Sequence, residues 1–277
     1  MHRLKHSKRM FYGEAKPSRR LSSFIKCYWV LVNNLEEVQG TPEVIMPDGC
    51  PEIIFNLAEP FKRHRADRVE IQPKAIVVGQ MKGRVLVEPT RNVSLFGVRF
   101  DPSGLYPFVK QSIADLTDEI ETVDTVFGRL GSELTERIRG ARSINERIVI
   151  FENSLIGLLK VRKNECLSAR VAEVIHRNDG KIRIERLAET LDINWKTLER
   201  RFKKEVGITP KLFCRITRLQ KILHLLNRER LTPWADIAYS FGYADQAHFI
   251  NDFRQFSGVS PKTFISKENK ISDSFVG

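Results

Sequence analysis

The chain has 277 residues, of which 42% are hydrophobic and 29% charged, and a formal net charge of +12. That length exceeds the usual span of one hydrophobic core, so two domains are expected, and no apolar run of about 18 residues is present to cross a bilayer. Cys27, Cys50, Cys166 and Cys214 are too scattered for a zinc pair or a redox CxxC and too few for a disulfide scaffold, so they read as reduced packing residues and no metal or cofactor is expected.

Residues 1–20 form a basic N-terminal segment with seven Lys or Arg against one acid, Glu14. The apolar stretch of a secretory signal does not follow it, so the protein is expected in the cytoplasm, away from membranes. Residues 21–122 are predicted to form a β-rich domain, with a cupin-like arrangement as one option. Val44-Ile45-Met46, Ile53-Ile54-Phe55-Asn56-Leu57, Ile76-Val77-Val78 and 93–100 are strand-like runs separated by Pro, Gly and Asp turns. Pro47-Asp48-Gly49-Cys50-Pro51-Glu52 reads as a turn. Asp48, Glu52 and Arg99 stand beside these strands, where turn and rim positions are expected ahead of a pocket lining. Lys62-Arg63-His64-Arg65 reads as an exposed charged loop.

Residues 123–164 are predicted to be helical, with Phe127, Leu130, Leu134 and Ile138 on one apolar stripe and Ile148, Phe151, Leu155 and Leu158 or Leu159 on the next. These stripes suit a dimerisation or linker region, and covering the sheet is an equal alternative. The charge is uneven along the chain. Residues 21–164 balance 19 basic against 19 acidic residues, whereas the window 196–230 holds 11 basic and three acidic ones. A basic stripe favours a polyanion, because each Lys or Arg that neutralises a phosphate releases a condensed counterion.

Within residues 165–267 the sequence repeats. The stretch 184–213, IERLAETLDINWKTLERRFKKEVGITPKLF, aligns with 234–264, WADIAYSFGYADQAHFINDFRQFSGVSPKTF. Leu187 meets Ile237, Ala188 meets Ala238, Phe202 meets Phe253, Gly207 meets Gly258 and Pro210 meets Pro261. In the first copy Ile184, Leu187, Ala188 and Leu191 make one helical face. Asn194 then caps a second helix that turns Leu198, Phe202 and Val206 inward and stops at Gly207. In the second copy Gly242 is the turn residue and Asp245 caps a helix carrying Phe249, Phe253 and Phe256. Each copy is therefore a helix-turn-helix. Residues 211–230 between them, with Leu212, Ile216, Leu219, Ile222 or Leu223, and Leu226 at helical spacing, form a long connecting helix that would hold the two units at a fixed separation. Residues 268–277 are a tail, and the whole chain is of the α+β class.

The set Leu187-Ala188, Leu198, Arg200, Phe202, Gly207, Pro210, Asp236-Ile237-Ala238, Phe241-Gly242-Tyr243, Phe249, Phe253, Gly258, Ser260-Pro261 and Phe264 resembles the DNA-binding domain of AraC/XylS-type transcription regulators. Asp192 departs from that pattern, standing where glycine is common in the first turn, and a positive φ there would be strained. PDGCPEIIFNL, GVRFDPSG and LTDE are similar to the N-terminal domain attached to a subgroup of the same regulators. The resemblance implies sequence-specific binding of promoter or operator DNA, and an N-terminal domain that senses a small molecule or dimerises. RNA polymerase, a small-molecule effector and a second copy of the chain are the further candidate partners.

With Leu198, Phe202, Phe249 and Phe253 turned inward, Lys196, Glu199 and Arg200 of the first unit and Gln246, Ala247, His248 and Asn251 of the second are left to face base edges. Arg200 suits guanine, Gln246 or Asn251 adenine, Glu199 the cytosine amine and Ala247 a thymine methyl. Arg200 could instead pair with Glu199, and His248 could pack or meet a phosphate. Lys203, Lys204, Lys211, Arg215 and Arg218 are assigned to phosphates. Two other classes compete. A catalytic N-terminal domain built on Cys50 lacks a base nearby, since His64 is the nearest histidine in sequence, so no enzyme is expected. An architectural DNA binder without sequence preference is the second.

Overall fold

The computed structural model describes residues 5–7, 10–33, 42–159, 167–228 and 233–266. Among the described residues, eleven antiparallel strands build the N-terminal part. They are β1 (Lys5–Ser7), β2 (Met10–Ala15), β3 (Ile25–Asn33), β4 (Glu43–Ile45), β5 (Glu52–Asn56), β6 (Phe61–His64), β7 (Val69–Ile71), β8 (Ala75–Val78), β9 (Val85–Pro89), β10 (Val93–Phe100) and β11 (Ile120–Thr122). They make a seven-stranded sheet in the order β1-β2-β3-β10-β5-β8-β11 and a four-stranded sheet in the order β4-β9-β6-β7. The sheet begins inside the stretch read as a separate basic segment, because Met10–Ala15 pairs along β3 from Met10 opposite Asn33 to Ala15 opposite Tyr28.

The large sheet is covered on both faces, which explains its apolar sequence. Along β10, Phe96, Val98 and Phe100 face one core together with Ile53, Phe55 and Val77, while Leu95 faces a second core with Trp29, Leu31 and Phe61. The first face is covered by α1 (Val123–Phe127), α2 (Arg129–Gly140) and α3 (Ile144–Ile156), through Leu134, Ile138, Phe151 and Leu155. Phe151 meets the rings of Tyr28 and Phe55 edge-on, with centroids 6.1 and 6.3 Å apart. The apolar stripes of 123–159 therefore lie against the sheet. Residues 160–164 of that stretch lie outside the described residues. The second face of the large sheet opposes the small sheet.

Charge patterning hid the small sheet. Lys62-Arg63-His64 is strand β6, not a loop: Lys62 and His64 point outward to Glu88 of β9, at 3.1 and 2.7 Å, and Arg63 points inward. Alternation of a solvated and a buried face allows a strand to carry three consecutive basic residues.

The C-terminal part is all helical, with α4 (Leu167–Arg177), α5 (Ile184–Thr190), α6 (Trp195–Val206), α7 (Pro210–Arg228), α8 (Trp234–Ser240), α9 (Gln246–Ser257) and α10 (Pro261–Ser266) around one core. Both helix-turn-helix units and the long connector are present as the periodicity predicts. The connector's last predicted residues, 229–230, lie outside the described residues. Helix α4 and the short α10 were not anticipated.

Candidate nucleic-acid interface

The two second helices, α6 and α9, are built alike. The Asn194 side chain accepts from the Lys196 amide at 2.9 Å and the Asp245 side chain accepts from the His248 amide at 2.7 Å, so each helix starts on a capped turn. Leu198 and Phe202 in one, and Phe249, Phe253 and Phe256 in the other, are buried, which fixes the rotation of each helix about its axis. The first turns consequently face solvent. Lys196 and Arg200 are exposed and Glu199 half-buried in α6, and Gln246, Ala247, His248 and Asn251 are all exposed in α9. Arg200 and Glu199 form no ion pair among the described residues. The ring of His248 meets Tyr243 edge-on at 5.2 Å, so this residue has a packing contact as well as an exposed edge. Asp192 has φ of 50°, the left-handed conformation expected of the first turn.

The basic stripe divides into two groups. Lys203, Lys204 and Lys211 are exposed. Arg215 is otherwise engaged: its Nε donates to Asp252 Oδ1 at 2.7 Å, its Nη2 donates to Gln255, and its guanidinium lies over the Phe256 ring at 4.9 Å. Arg218 sits over the Tyr243 ring at 4.9 Å, and Tyr243 in turn donates to Asp252 Oδ2 at 2.9 Å. Arg215 thus ties α7 to α9 and Arg218 ties it to Tyr243 in the turn before α9, contacts that the phosphate assignment made from sequence did not include. Burial, reinforced by that carboxylate, pushes the Tyr243 phenol above its ordinary value.

Two further aromatic side chains of the helix-turn-helix units are exposed and were not singled out from sequence. Trp195, 47% exposed, opens α6, and Tyr239, 88% exposed, stands just before the second turn. The signal was available: both positions fall outside the inward-facing set.

The opposite ends of both helices are held by the N-terminal part. Gly207, with φ of 106°, ends α6; its carbonyl accepts from the Thr117 hydroxyl at 2.8 Å, and the Lys204 carbonyl accepts from Ser112 at 3.2 Å. At the end of α9 the Ser257 carbonyl accepts from Arg84 Nη1 at 3.0 Å. The connector is held as well, since Gln220 Nε2 donates to the Pro47 carbonyl at 2.8 Å. Here the PDGC turn acquires a reason. Asp48 Oδ1 accepts from the Cys50 amide at 2.9 Å, and Gly49 adopts φ of 79° against the Phe213 ring, where a Cβ would come within 2.7 Å of Cε2.

Directly behind that turn lies a cavity of about 140 Å³, between the two sheets. Trp29, Leu31, Ile54, Phe61 and Leu95 give it apolar walls, and Leu223 of α7 and Phe264 of α10 close it from the helical side. Asp48, Glu52 and Arg99 line it too, so the pocket role and not the rim role applies. Arg99 Nε pairs with Glu52 at 2.6 Å and lies 3.4 Å from Asp48, and Trp29 Nε1 donates to Glu52 at 3.3 Å. Burial lifts the Glu52 carboxyl above its usual range against the pull of Arg99. Cys50 is buried beside these carboxylates, and burial pushes its thiol well above the ordinary value, which makes it a poor nucleophile. Among the described residues no group of three His, Cys, Asp or Glu is placed to hold a metal ion, and no helix is long and apolar enough to cross a membrane.

Residues 187–267 match the family described as a helix-turn-helix domain, and residues 13–122 match a domain of unknown function (DUF6597). Over 76 residues the chain is 36% identical to the HTH-type transcriptional activator RhaS of Escherichia coli O139:H28, a stretch that is 27% of either protein. The C-terminal region carries a helix-turn-helix domain. RhaS of Escherichia coli strain SE11 gives the same identity and extent, so the chain covers 27% of the length of these relatives. Among solved structures, ToxT of Vibrio cholerae is similar at 11% identity and a TM-score of 0.48, over 86% of this chain and 98% of that one. The C-terminal domain of AraT, a response regulator from Geobacillus stearothermophilus, is similar at 27% identity and a TM-score of 0.36, over 38% of this chain and 87% of that one. The helix-turn-helix match thus spans most of α5 through to α10, and the match to the domain of unknown function runs from within β2 to β11.

Proposed function

We propose that the chain is a sequence-specific DNA-binding transcription regulator, in which α6 and α9 enter successive major-groove segments and the N-terminal part responds to a small molecule. The observation that carries this reading is the pair of capped helices on one core, each with its polar first turn exposed and its far end held from behind. Lys196, Glu199, Arg200, Gln246, Ala247, His248 and Asn251 are the proposed base-facing set. Lys203, Lys204 and Lys211 are the proposed phosphate contacts, and Arg215 and Arg218 leave that group. Contact with RNA polymerase and pairing of two chains are compatible with the reading and do not enter its test.

Footprinting of the full chain on its own upstream region tests it, with protection of two groove segments about one helical turn apart as the expected result. On the protected site, Arg200→Ala is expected to lose about 1–3 kcal/mol and to relax preference at one base pair, whereas Lys204→Ala weakens cognate and scrambled duplexes alike. Equal losses on both duplexes for Arg200→Ala would remove it from the base-facing set. Equal affinity of the unaltered chain for cognate and scrambled duplexes would favour an architectural binder.

A further inference from the structure

The cavity behind the PDGC turn contains one arginine with no carboxylate in ion-pair contact among the described residues. Arg63 is only 7% exposed, and it points from β6 into the space between the sheets on the same face as Phe61. Its Nη2 donates to the Asp118 carbonyl at 2.9 Å, while its Nη1 is buried with no hydrogen-bond partner among the described residues. The acids around it have cations of their own: Asp118 pairs with Lys82 at 3.0 Å, Glu119 with Arg65 at 2.9 Å, and Glu70 with Arg68 at 2.5 Å. Burial, with Arg65 nearby, pulls the Arg63 guanidinium below its ordinary value against the opposing effect of Glu119, Glu70 and Asp118, and an arginine stays protonated at neutral pH. The other charges lining the cavity differ in kind, since Arg99 is closed off by Glu52 and Asp48.

A buried donor with a full positive charge and a free N–H is a binding site for an anion, and an arginine fork suits a carboxylate best. The walls select the rest of the ligand. They are predominantly apolar, and about 140 Å³ is close to the roughly 150 Å³ that accommodates a benzene ring. We propose that this cavity binds a compact monocarboxylate, one acid group on an apolar body of about one ring, with Arg63 as the anion anchor and Leu223 and Phe264 of the DNA-binding part as one wall. The proposal rests on the regulator reading, because contact with α7 and α10 is what would let such a ligand act on DNA binding. Occupancy would bear on α7 beside Gln220, and on the Asp48–Cys50 turn that Phe213 packs against.

The test uses the full chain with benzoate, cyclohexanecarboxylate and hexanoate against benzamide and benzylamine, followed by calorimetric titration and thermal shift. Saturable binding of the carboxylates is expected, with benzamide and benzylamine at least 10-fold weaker. Arg63→Met is expected to raise Kd for the carboxylates roughly 10- to 100-fold, and Arg63→Lys to recover part of the loss. If Arg63→Met does not fold, the neutral and cationic probes on the unaltered chain still decide. Benzamide binding as tightly as benzoate, a preference for benzylamine, or no carboxylate binding at millimolar concentration each overturns the proposal. Footprinting without ligand keeps the two readings apart. A footprint retained while no carboxylate binds rejects the anchor and leaves the regulator, and carboxylate binding without sequence preference does the reverse.

Discussion

Asp252 and Arg215 give the sharpest test of how the second recognition helix is held. The Asp252 side chain is 6% exposed and that of Arg215 24%. Truncating one partner of a fully buried pair costs about 3–5 kcal/mol, because the other charge is left without compensation. Asp252→Ala would strand the Tyr243 hydroxyl completely, but Arg215 reaches solvent and keeps Gln255 and the Phe256 ring, so the expected loss is nearer 2–3 kcal/mol. With a urea m-value of about 2 kcal/mol/M, that is a fall of roughly 1 M in the midpoint of the transition that reports on the helical part. Arg215→Ala should destabilise by a smaller amount and leave the salt dependence of DNA binding unchanged. Lys211→Ala, by contrast, should leave the midpoint in place and reduce the slope of log K against log salt by about one contact, or about 0.9. If Arg215→Ala lowers that slope by about 0.9 with no change in midpoint, Arg215 contacts phosphate and the structural assignment of this residue is wrong.

Gly97→Ala should unfold the two-sheet part at lower denaturant by about 1–3 kcal/mol, since a Cβ there would lie 1.9 Å from the buried Trp29 ring; an unchanged midpoint with unchanged tryptophan emission would refute the close packing. Thr117→Val and Arg84→Ala each remove one hold on a recognition helix. Both should increase amide exchange at the C-terminal turns of α6 and α9 respectively, and exchange no faster than in the parent chain would show that these contacts carry no load. Burial raises the Cys214 thiol to about 11 and the Cys27 thiol to about 12, so at pH 8 neither should react with a thiol reagent before unfolding; rapid modification of either, located by peptide mapping, would contradict the burial.

The helical part could be read almost entirely from sequence because its signals are local and occur twice. Asn194 and Asp245 at caps, Gly207 and Gly258 at helix ends, and phenylalanines three and four residues apart each specify structure within one or two turns. The same locality turns most of the proposed base-facing set toward solvent, since assigning Leu198 and Phe202 inward leaves little choice for Arg200. The large sheet was partly visible for a related reason. Strands buried on both faces, such as 53–57 and 93–100, are continuous apolar runs, whereas β6 alternates charged and buried residues and reads as a loop.

What sequence could not give is which residues from distant segments meet. Nothing in the order of residues says that Arg215 faces Asp252, 37 positions away, or that Thr117 and Arg84 reach the ends of two helices in another part of the chain. Arg63 shows the gap most clearly: in the run Lys62-Arg63-His64-Arg65 it looks solvated, and only the pairing of β6 with β9 turns it toward a cavity walled by both sheets and by α7 and α10. Sequence determines the elements, because backbone propensity, capping and periodicity act over a few residues. Tertiary packing alone decides which charges end up desolvated, because desolvation depends on every segment that excludes water from the same point in space.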